Sequence, residues 1–504
     1  MARDGSTLGM KLKHALRLES PYSAPGASQT AIPGRAAVGH HGSGGQFRTI
    51  AFVGAGGKTT SMFRLARELG GRVLVTATTH LGAWQVPMAD EHLVAGAHDL
   101  ERLLKSSSAN VVLVTGAVEG DRTLPVPESV LTQLHALSEQ TNTPLLVEAD
   151  GARQRPLKAP AAHEPAVPAF ANLVICVAGL SALGRPISAA FIHRPELFAE
   201  LAGASIGDEI TPDVVSRVLI HRLGGLKGIP ESARRVVLLA EADSEPVQAA
   251  AGGMGPGILK AFDSVAVCSF GARQVAAAQG SAPARPGDPS GPVTAIFERV
   301  AGIVLAAGAS TRFGRPKQLL DWRGQAFVRA VCQAALAAGL DPVIVVTGAD
   351  ADEVTAAVRG MPVLIVNNPD WASGQASSVR AGVKALSWGP AEPASRTRPH
   401  IGAAVFLLAD QPQLQESLLR ALVERHAAGL YPVVAPFVDA DRRANPVLFD
   451  SATANALLAL TGDQGGRRIL SSFPVERLDW HDESMLFDVD SPEDYRRLLD
   501  STGG

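Results

Sequence analysis

Short, almost wholly apolar runs separated by longer amphipathic stretches set the rhythm of this chain. Residues 50–53, 73–76, 111–114, 145–147, 173–177 and 236–239 read as strands too apolar to have a wet face. Segments between them, such as residues 61–69, carry helical spacing instead. The same rhythm resumes at residues 302–305, 342–346, 363–366, 403–408 and 433–435. Strands alternating with helices predict α/β layering around a mostly parallel sheet. Two stretches lack any apolar period: residues 20–47, rich in Gly, Pro, Ser and Ala, and residues 279–292, QGSAPARPGDPSGP. No internal repeat relates the halves. The expected organisation is therefore a flexible segment at 1–47, a domain at 48–275, a linker at 276–299 and a second domain at 300–504, both domains doubly wound α/β.

Composition narrows the class without changing that picture. The 504 residues are 46% hydrophobic and 19% charged, ordinary globular values, and the formal net charge of -3 gives no general attraction to nucleic acid or to an anionic membrane. Cys176, Cys268 and Cys332 match neither a metal ladder nor a disulfide framework and are expected as reduced core residues. No apolar run approaches the roughly 18 residues of a spanning helix, and no apolar leader core stands at the N-terminus, so a soluble cytoplasmic protein is expected.

The chemistry concentrates where strands end. In open α/β sheets ligands lie at the carboxyl ends of strands, and the strand at 302–305 runs straight into LAAGASTRFGRPK. After Leu305, the small residues Ala306, Ala307 and Gly308 let backbone N–H groups approach phosphate oxygens, while Arg312 and Lys317 can neutralise a triphosphate. A plain turn with surface cations is the competing reading. LLADQP puts Asp410 just past an apolar strand, where a carboxylate needs a metal, a donor or water. Mg²⁺, which takes one or two carboxylates plus waters and phosphates, would use it; a helix N-cap is the alternative. FDVDSPEDY supplies Asp488 and Asp490, either of which could complete a metal site with Asp410, although Asp490 or Ser491 could equally cap the helix entered at Pro492.

In the first half, AFVGAGGKTT follows an apolar strand and opens a helical segment. Gly54, Gly56 and Gly57 would form a phosphate-binding P-loop, with Lys58 for phosphate and Thr59 for magnesium, in a loop shorter than the standard spacing because residue 52 is Phe. LLVEADG adds Asp150 at the end of another strand, and TATTH at 76–80 adds hydroxyls and an imidazole. Lys158, His163 and Glu164 could meet an anionic ligand, or belong to a Pro-rich loop; adjacent His163 and Glu164 make a poor metal pair.

With these motifs in place, the C-terminal part resembles the molybdenum cofactor cytidylyltransferases of the MobA-like nucleotidyltransferases. LAAGASTRFGRPK, NPDWASGQASSVRAG at 368–382, LLADQP, NPVLF at 445–449, GDQGGRRIL at 462–470 and DVDSPEDY carry the likeness in order. The resemblance implies a Rossmann-like nucleotidyltransferase fold and transfer of CMP from CTP to molybdopterin, with release of pyrophosphate. It implies that Arg312 and Lys317 hold the triphosphate and that Asp410 with Asp490 or Asp488 holds Mg²⁺. Ser377, Ser378 and Arg380 would line the base or acceptor pocket, a capped helix start being the alternative. LAAG and ADQP, where guanylyl relatives read LAGG and CDTP, favour cytosine. The family's late Arg-Gly-Asn-Pro is Arg443-Ala-Asn-Pro here, and Ala444 would be strained at positive φ.

The N-terminal part resembles the YqeC family of accessory proteins for selenium-dependent molybdenum hydroxylases, through GAGGKTT, TATTHLG, VEADGARQRPLKAPAAHEPAVP, FIHRPELF and GDEITPDVV. That likeness implies a nucleotide-binding accessory module and a molybdenum hydroxylase apoenzyme as partner. Other readings are a transferase with another NTP or phosphate acceptor, and an insertion chaperone that hands cofactor to a hydroxylase.

Overall fold

The computed structural model describes residues 9–19, 48–95, 108–270, 291–310, 313–386, 388, 400–438, 442–463 and 466–500. Arg312, residues 20–47 and residues 276–290 of the expected linker lie outside them. The chain forms two compact units and changes from one to the other between Phe297 and Glu298, inside the strand Val293–Ala306. That strand begins within the stretch expected as linker.

In the first unit the sheet order is Ser264–Cys268, Arg234–Ala240, Leu173–Gly179, Thr49–Gly54, Leu145–Glu148, Val73–Ala77, Val111–Thr115 and Glu91–Val94. Every pairing among these strands is parallel. Alternation along Thr49–Gly54 explains the layers. Ala51 and Val53 face a core shared with Phe198, Val215, Val218, Met254 and Ile258 from the helices Pro195–Ala202, Pro212–Ile220 and Glu245–Ile258. The helix Lys58–Leu69, which buries Met62, Phe63 and Leu65, also packs on this sheet. The stretch at 10–19 is folded too, with the helix Leu12–Ala15 burying Leu12 and Ala15. The strand order reverses direction at Thr49–Gly54, so the loop after that strand stands at the topological switch point where such sheets bind ligands.

The second unit is built on the order Val363–Asn367, Val343–Thr347, Val293–Ala306, Ile401–Leu408, Val447–Asp450, Val433–Val438, with Val475–Asp479 beside the last. All these pairs are parallel except those of Val447–Asp450, which runs antiparallel to both neighbours. Helices cover both faces. Val304, Val343 and Val405 meet Val328, Val331, Leu418 and Leu422 on one side, while Ile303, Ile344 and Phe406 meet Val379 and Val383 of the helix Gln375–Ala385 on the other. A smaller apolar cluster joins Phe313, Leu320, Trp322 and Phe327 to Val489 and Leu498, which ties the last helix, Pro492–Asp500, to the loop after the first strand. The mixed α/β class holds in both units, as doubly wound sheets.

Candidate functional site

The second unit gathers its charged residues where two central strands end. Ala306 and Ala307 are buried, Ala349 N–H donates to Ala307 O at 3.2 Å, and Ala409 N–H donates to Leu305 O at 3.2 Å. Gly308 has no heavy atom within 4 Å of where a Cβ would sit, so the loop is open there. Buried Gln318 holds the loop from behind: its Nε2 donates to Gly308 O at 3.0 Å, and Ser310 Oγ donates to its Oε1 at 3.3 Å. Lys317 N–H donates to Ser310 Oγ at 3.0 Å, and the Lys317 ammonium pairs with Asp490 Oδ1 at 2.7 Å across 173 residues of sequence.

Asp410 is half-buried at the same place. Burial pushes its carboxyl above the usual range, the Lys317 charge opposes that, and the Asp488 and Asp490 carboxylates push it further up. A carboxylate enclosed with like charges is electrostatically short of a cation. No three His, Cys, Asp or Glu side chains converge as a closed metal cage among the described residues. The donor set instead fits an ion that takes one or two carboxylates and completes its shell from phosphate and water. The N-cap reading of Asp410 fails because the following helix, Glu416–Ala427, starts well beyond it. Ser491 takes the cap of Pro492–Asp500 by exchange with Asp494, its Oγ donating to Oδ2 at 2.7 Å and accepting Asp494 N–H at 3.2 Å. Asp490 is thereby left to Lys317, while Asp488 accepts Gln411 Nε2 at 2.7 Å.

Ser377 and Ser378 are buried at the start of Gln375–Ala385, where Asn368 Nδ2 donates to their hydroxyls at 2.8 and 3.0 Å. Ser377 Oγ also donates to Gly374 O at 2.8 Å, and Arg380 donates to Leu460 O. These contacts build a rigid helix start. Gly374 has φ +108°, and a Cβ there would fall 2.5 Å from the Gly462 carbonyl, so the 462–470 motif abuts this helix through glycine. Ala444 is not at positive φ, and the expected strain is absent. Sequence reasoning missed Gln318 and Asn368: each is an amide whose partners become neighbours only in three dimensions.

In the first unit Gly54, Gly56 and Gly57 have φ of +96°, +72° and +93°. A Cβ on Gly54 would lie 2.1 Å from Val177 O, so only glycine fits. Gly57 is the N-cap of Lys58–Leu69. The Lys58 ammonium is buried, 2.6 Å from Asp150 Oδ1 and 3.5 Å from Glu148 Oε1, and donates to Asp150 O. Burial disfavours its charge, but the two carboxylates raise its pKa above the ordinary value. Thr59 Oγ1 donates to Glu148 Oε2 at 2.9 Å, and both Asp150 oxygens lie 3.1 Å from Gly54 N. Loop, lysine, hydroxyl and acids thus come together, with Lys58 and Thr59 held by Asp150 and Glu148. Lys158 is differently employed: it donates to Gly151 O at 2.7 Å and pairs with Asp150 at 2.8 Å and Glu164 at 2.9 Å. Arg194, unremarked within FIHRPELF, holds Glu164 at 2.8 Å. Thr76, Thr78 and His80 spend their polar atoms on backbone carbonyls. Cys176, Cys268 and Cys332 are all buried free thiols.

The "YqeC protein" family matches residues 50–196, and the "MobA-like NTP transferase domain" matches residues 302–479. Nicotine blue oxidoreductase of Paenarthrobacter nicotinovorans is 36% identical over 40% of this chain and 96% of its own. The uncharacterized protein YqeC of Escherichia coli (strain K12) is 33% identical over 37% of this chain and 73% of its own. The purine catabolism protein PucB of Bacillus subtilis (strain 168) is 33% identical over 38% of this chain and 93% of its own.

Proposed function

The chain belongs to the YqeC family in its N-terminal half and to the MobA-like NTP transferases in its C-terminal half, and from that premise we propose that it is a molybdenum cofactor cytidylyltransferase carrying a nucleotide-binding accessory domain. The C-terminal unit would move CMP from CTP to the terminal phosphate of molybdopterin, giving molybdopterin cytosine dinucleotide and pyrophosphate. The carrying observation is the convergence of Lys317, Asp490 and Asp410 at the open loop around Gly308.

In this reading an acceptor phosphate oxygen attacks the α-phosphorus, the bond to the β-phosphate oxygen breaks, and pyrophosphate leaves with the electron pair. Such a transfer needs alignment and charge neutralisation more than a covalent nucleophile. Backbone at Ala306, Ala307 and Gly308 seats phosphate, Lys317 neutralises the departing charge, and Asp490 aims the Lys317 ammonium. Arg312 adds a second cation. Asp410, with Asp490 or Asp488, would hold Mg²⁺, which supplies Lewis acidity and a template for the phosphates. The cytosine assignment rests on the LAAG and ADQP motifs alone; in the fold the Ala307 methyl is buried against Gly348, where a Cβ would lie 2.7 Å from it.

Purified protein with Mg²⁺, molybdopterin and CTP should release pyrophosphate, and Lys317→Ala or Asp410→Ala should stop it in folded protein. Equal turnover with GTP would defeat the cytosine assignment. One observation favours a second reading, since the 36% identical relative bears an oxidoreductase name. Oxidation of NADH or NADPH coupled to reduction of an added quinonoid dye, without pyrophosphate release from any NTP, would favour that reading instead.

A further inference from the structure

From the phosphate loop of the first unit, the carboxyl ends of Leu173–Gly179, Arg234–Ala240 and Ser264–Cys268 follow one another along the sheet. The first steps are in contact: a Cβ on Gly56 would fall 2.4 Å from Gly179 Cα, and one on Gly57 would fall 3.5 Å from the Ala240 methyl. At a strand spacing of about 4.8 Å, the ends of the second and third strands lie about 10 and 14 Å from the strand that feeds the loop. An extended nucleotide with its phosphates on Gly56, Gly57 and Lys58 brings its base to that distance.

Asp243 and Ser269 stand there. Ala242 N–H donates to Cys268 O at 3.0 Å, which fixes the two loops to each other, and Gln248 Nε2 of the helix Glu245–Ile258 donates to Ala242 O at 2.9 Å. Ser269 Oγ donates to Asp243 Oδ1 at 2.7 Å. Asp243 is exposed, and no other hydrogen bond to its carboxylate is present among the described residues. An ionised carboxylate only accepts. Guanine presents two adjacent donors, N1–H and the 2-amino group, on its pairing edge. Adenine and cytosine set one donor beside an acceptor, and uracil flanks one N–H with carbonyls, so each would turn lone pairs toward the carboxylate. We infer that Asp243, oriented by Ser269, reads the base of a guanine nucleotide whose phosphates occupy the Lys58 loop. The inference rests on the nucleotide-binding reading of this unit and adds its specificity.

Fluorescent ribose-labelled GTP, ATP, CTP and XTP, titrated with Mg²⁺ into the full chain and its Lys58→Ala and Asp243→Asn variants, test it. Binding lost in Lys58→Ala belongs to this site. That component should prefer GTP over ATP by about tenfold or more, because the Asp243 carboxylate meets two matching donors on guanine and an opposing lone pair on adenine. Asp243→Asn, at an exposed position that folding tolerates, should weaken GTP by about tenfold and gain XTP, because the new amide N–H meets the 2-oxo group of xanthine. A helix-capping or purely structural Asp243 would not swap bases. Equal GTP and ATP binding, or an Asp243→Asn variant with unchanged GTP affinity, overturns the guanine assignment while leaving the nucleotide site standing. No Lys58-dependent binding of any triphosphate overturns the reading beneath it.

Discussion

Asp410 shows how function and stability pull apart at one residue. Its folded pKa is raised by burial and by Asp488 and Asp490, so its ionised form is less favourable in the folded chain than in the unfolded one. Stability from this group therefore rises as pH falls through the raised value. Asp410→Asn should abolish pyrophosphate release yet raise the melting temperature of ligand-free protein at neutral pH, by about 2–4 °C per kcal/mol of relieved repulsion in a unit of this size. Glu164 has the opposite sign. Burial works against its charge, but hydrogen bonds from Arg194 and Lys158 bring it down to about 2. Its contribution is complete above the ordinary carboxylate range and is lost as pH falls toward 2. Glu164→Gln should flatten the acid limb of a pH-stability curve, measured by circular dichroism. The chemistry-bearing residues were legible because they stand at strand ends in motifs; Lys158 was not, because its use depends on Asp150 and Glu164, which the fold sets around it.

At the scale of elements, one loop depends on a conformation that only glycine supplies, and one connecting segment depends on packing. Gly54→Ala would put a methyl 2.1 Å from Val177 O at φ +96° and should destabilise the first unit by about 2 kcal/mol or more, read by urea unfolding. The segment around Val489, between the short 3-10 helix Glu483–Leu486 and the last helix, works by packing: Val489 is wholly buried with Phe313, Leu320 and Phe327, between Asp488 and Asp490. Val489→Ala should cost about 1–3 kcal/mol and lower transfer without removing a charged group, because Asp490 loses its fixed aim at Lys317. Most apolar strands were readable to within two residues at either end, but Val293–Ala306 begins well before the expected residue 302 and Val433–Val438 runs on past the expected residue 435. Glu91–Val94, Val447–Asp450 and Val475–Asp479 were not identified as strands, for they carry charges or alternate, and the short apolar Ser264–Cys268, which stands just before the Gly- and Pro-rich stretch, was missed as well.

In the proposed function the whole molecule carries two nucleotide sites on one chain, and no helix among the described residues is long and apolar enough to cross a membrane. Each ligand should stabilise the chain by about 2.7 kcal/mol at a hundred times its dissociation constant. In a thermal-shift experiment Lys317→Ala should remove the CTP shift and leave the GTP shift, and Lys58→Ala the reverse. The change of unit between Phe297 and Glu298 falls within the linker expected at 276–299, but Gly and Pro content did not show that a strand runs through that point.

The Lys58 ammonium, enclosed by Asp150 and Glu148, gives the first unit an internal counter-ion. A triphosphate that draws this ammonium away leaves Asp150 to Lys158 but takes the cation from buried Glu148, whose pKa is already raised by its burial. Something positive must then enter with the nucleotide. Affinity for nucleotide should consequently be linked to uptake of a proton or divalent cation, and the linkage is reciprocal. Calorimetric titrations in buffers of different ionisation enthalpy, with and without Mg²⁺, would count which of the two is taken up.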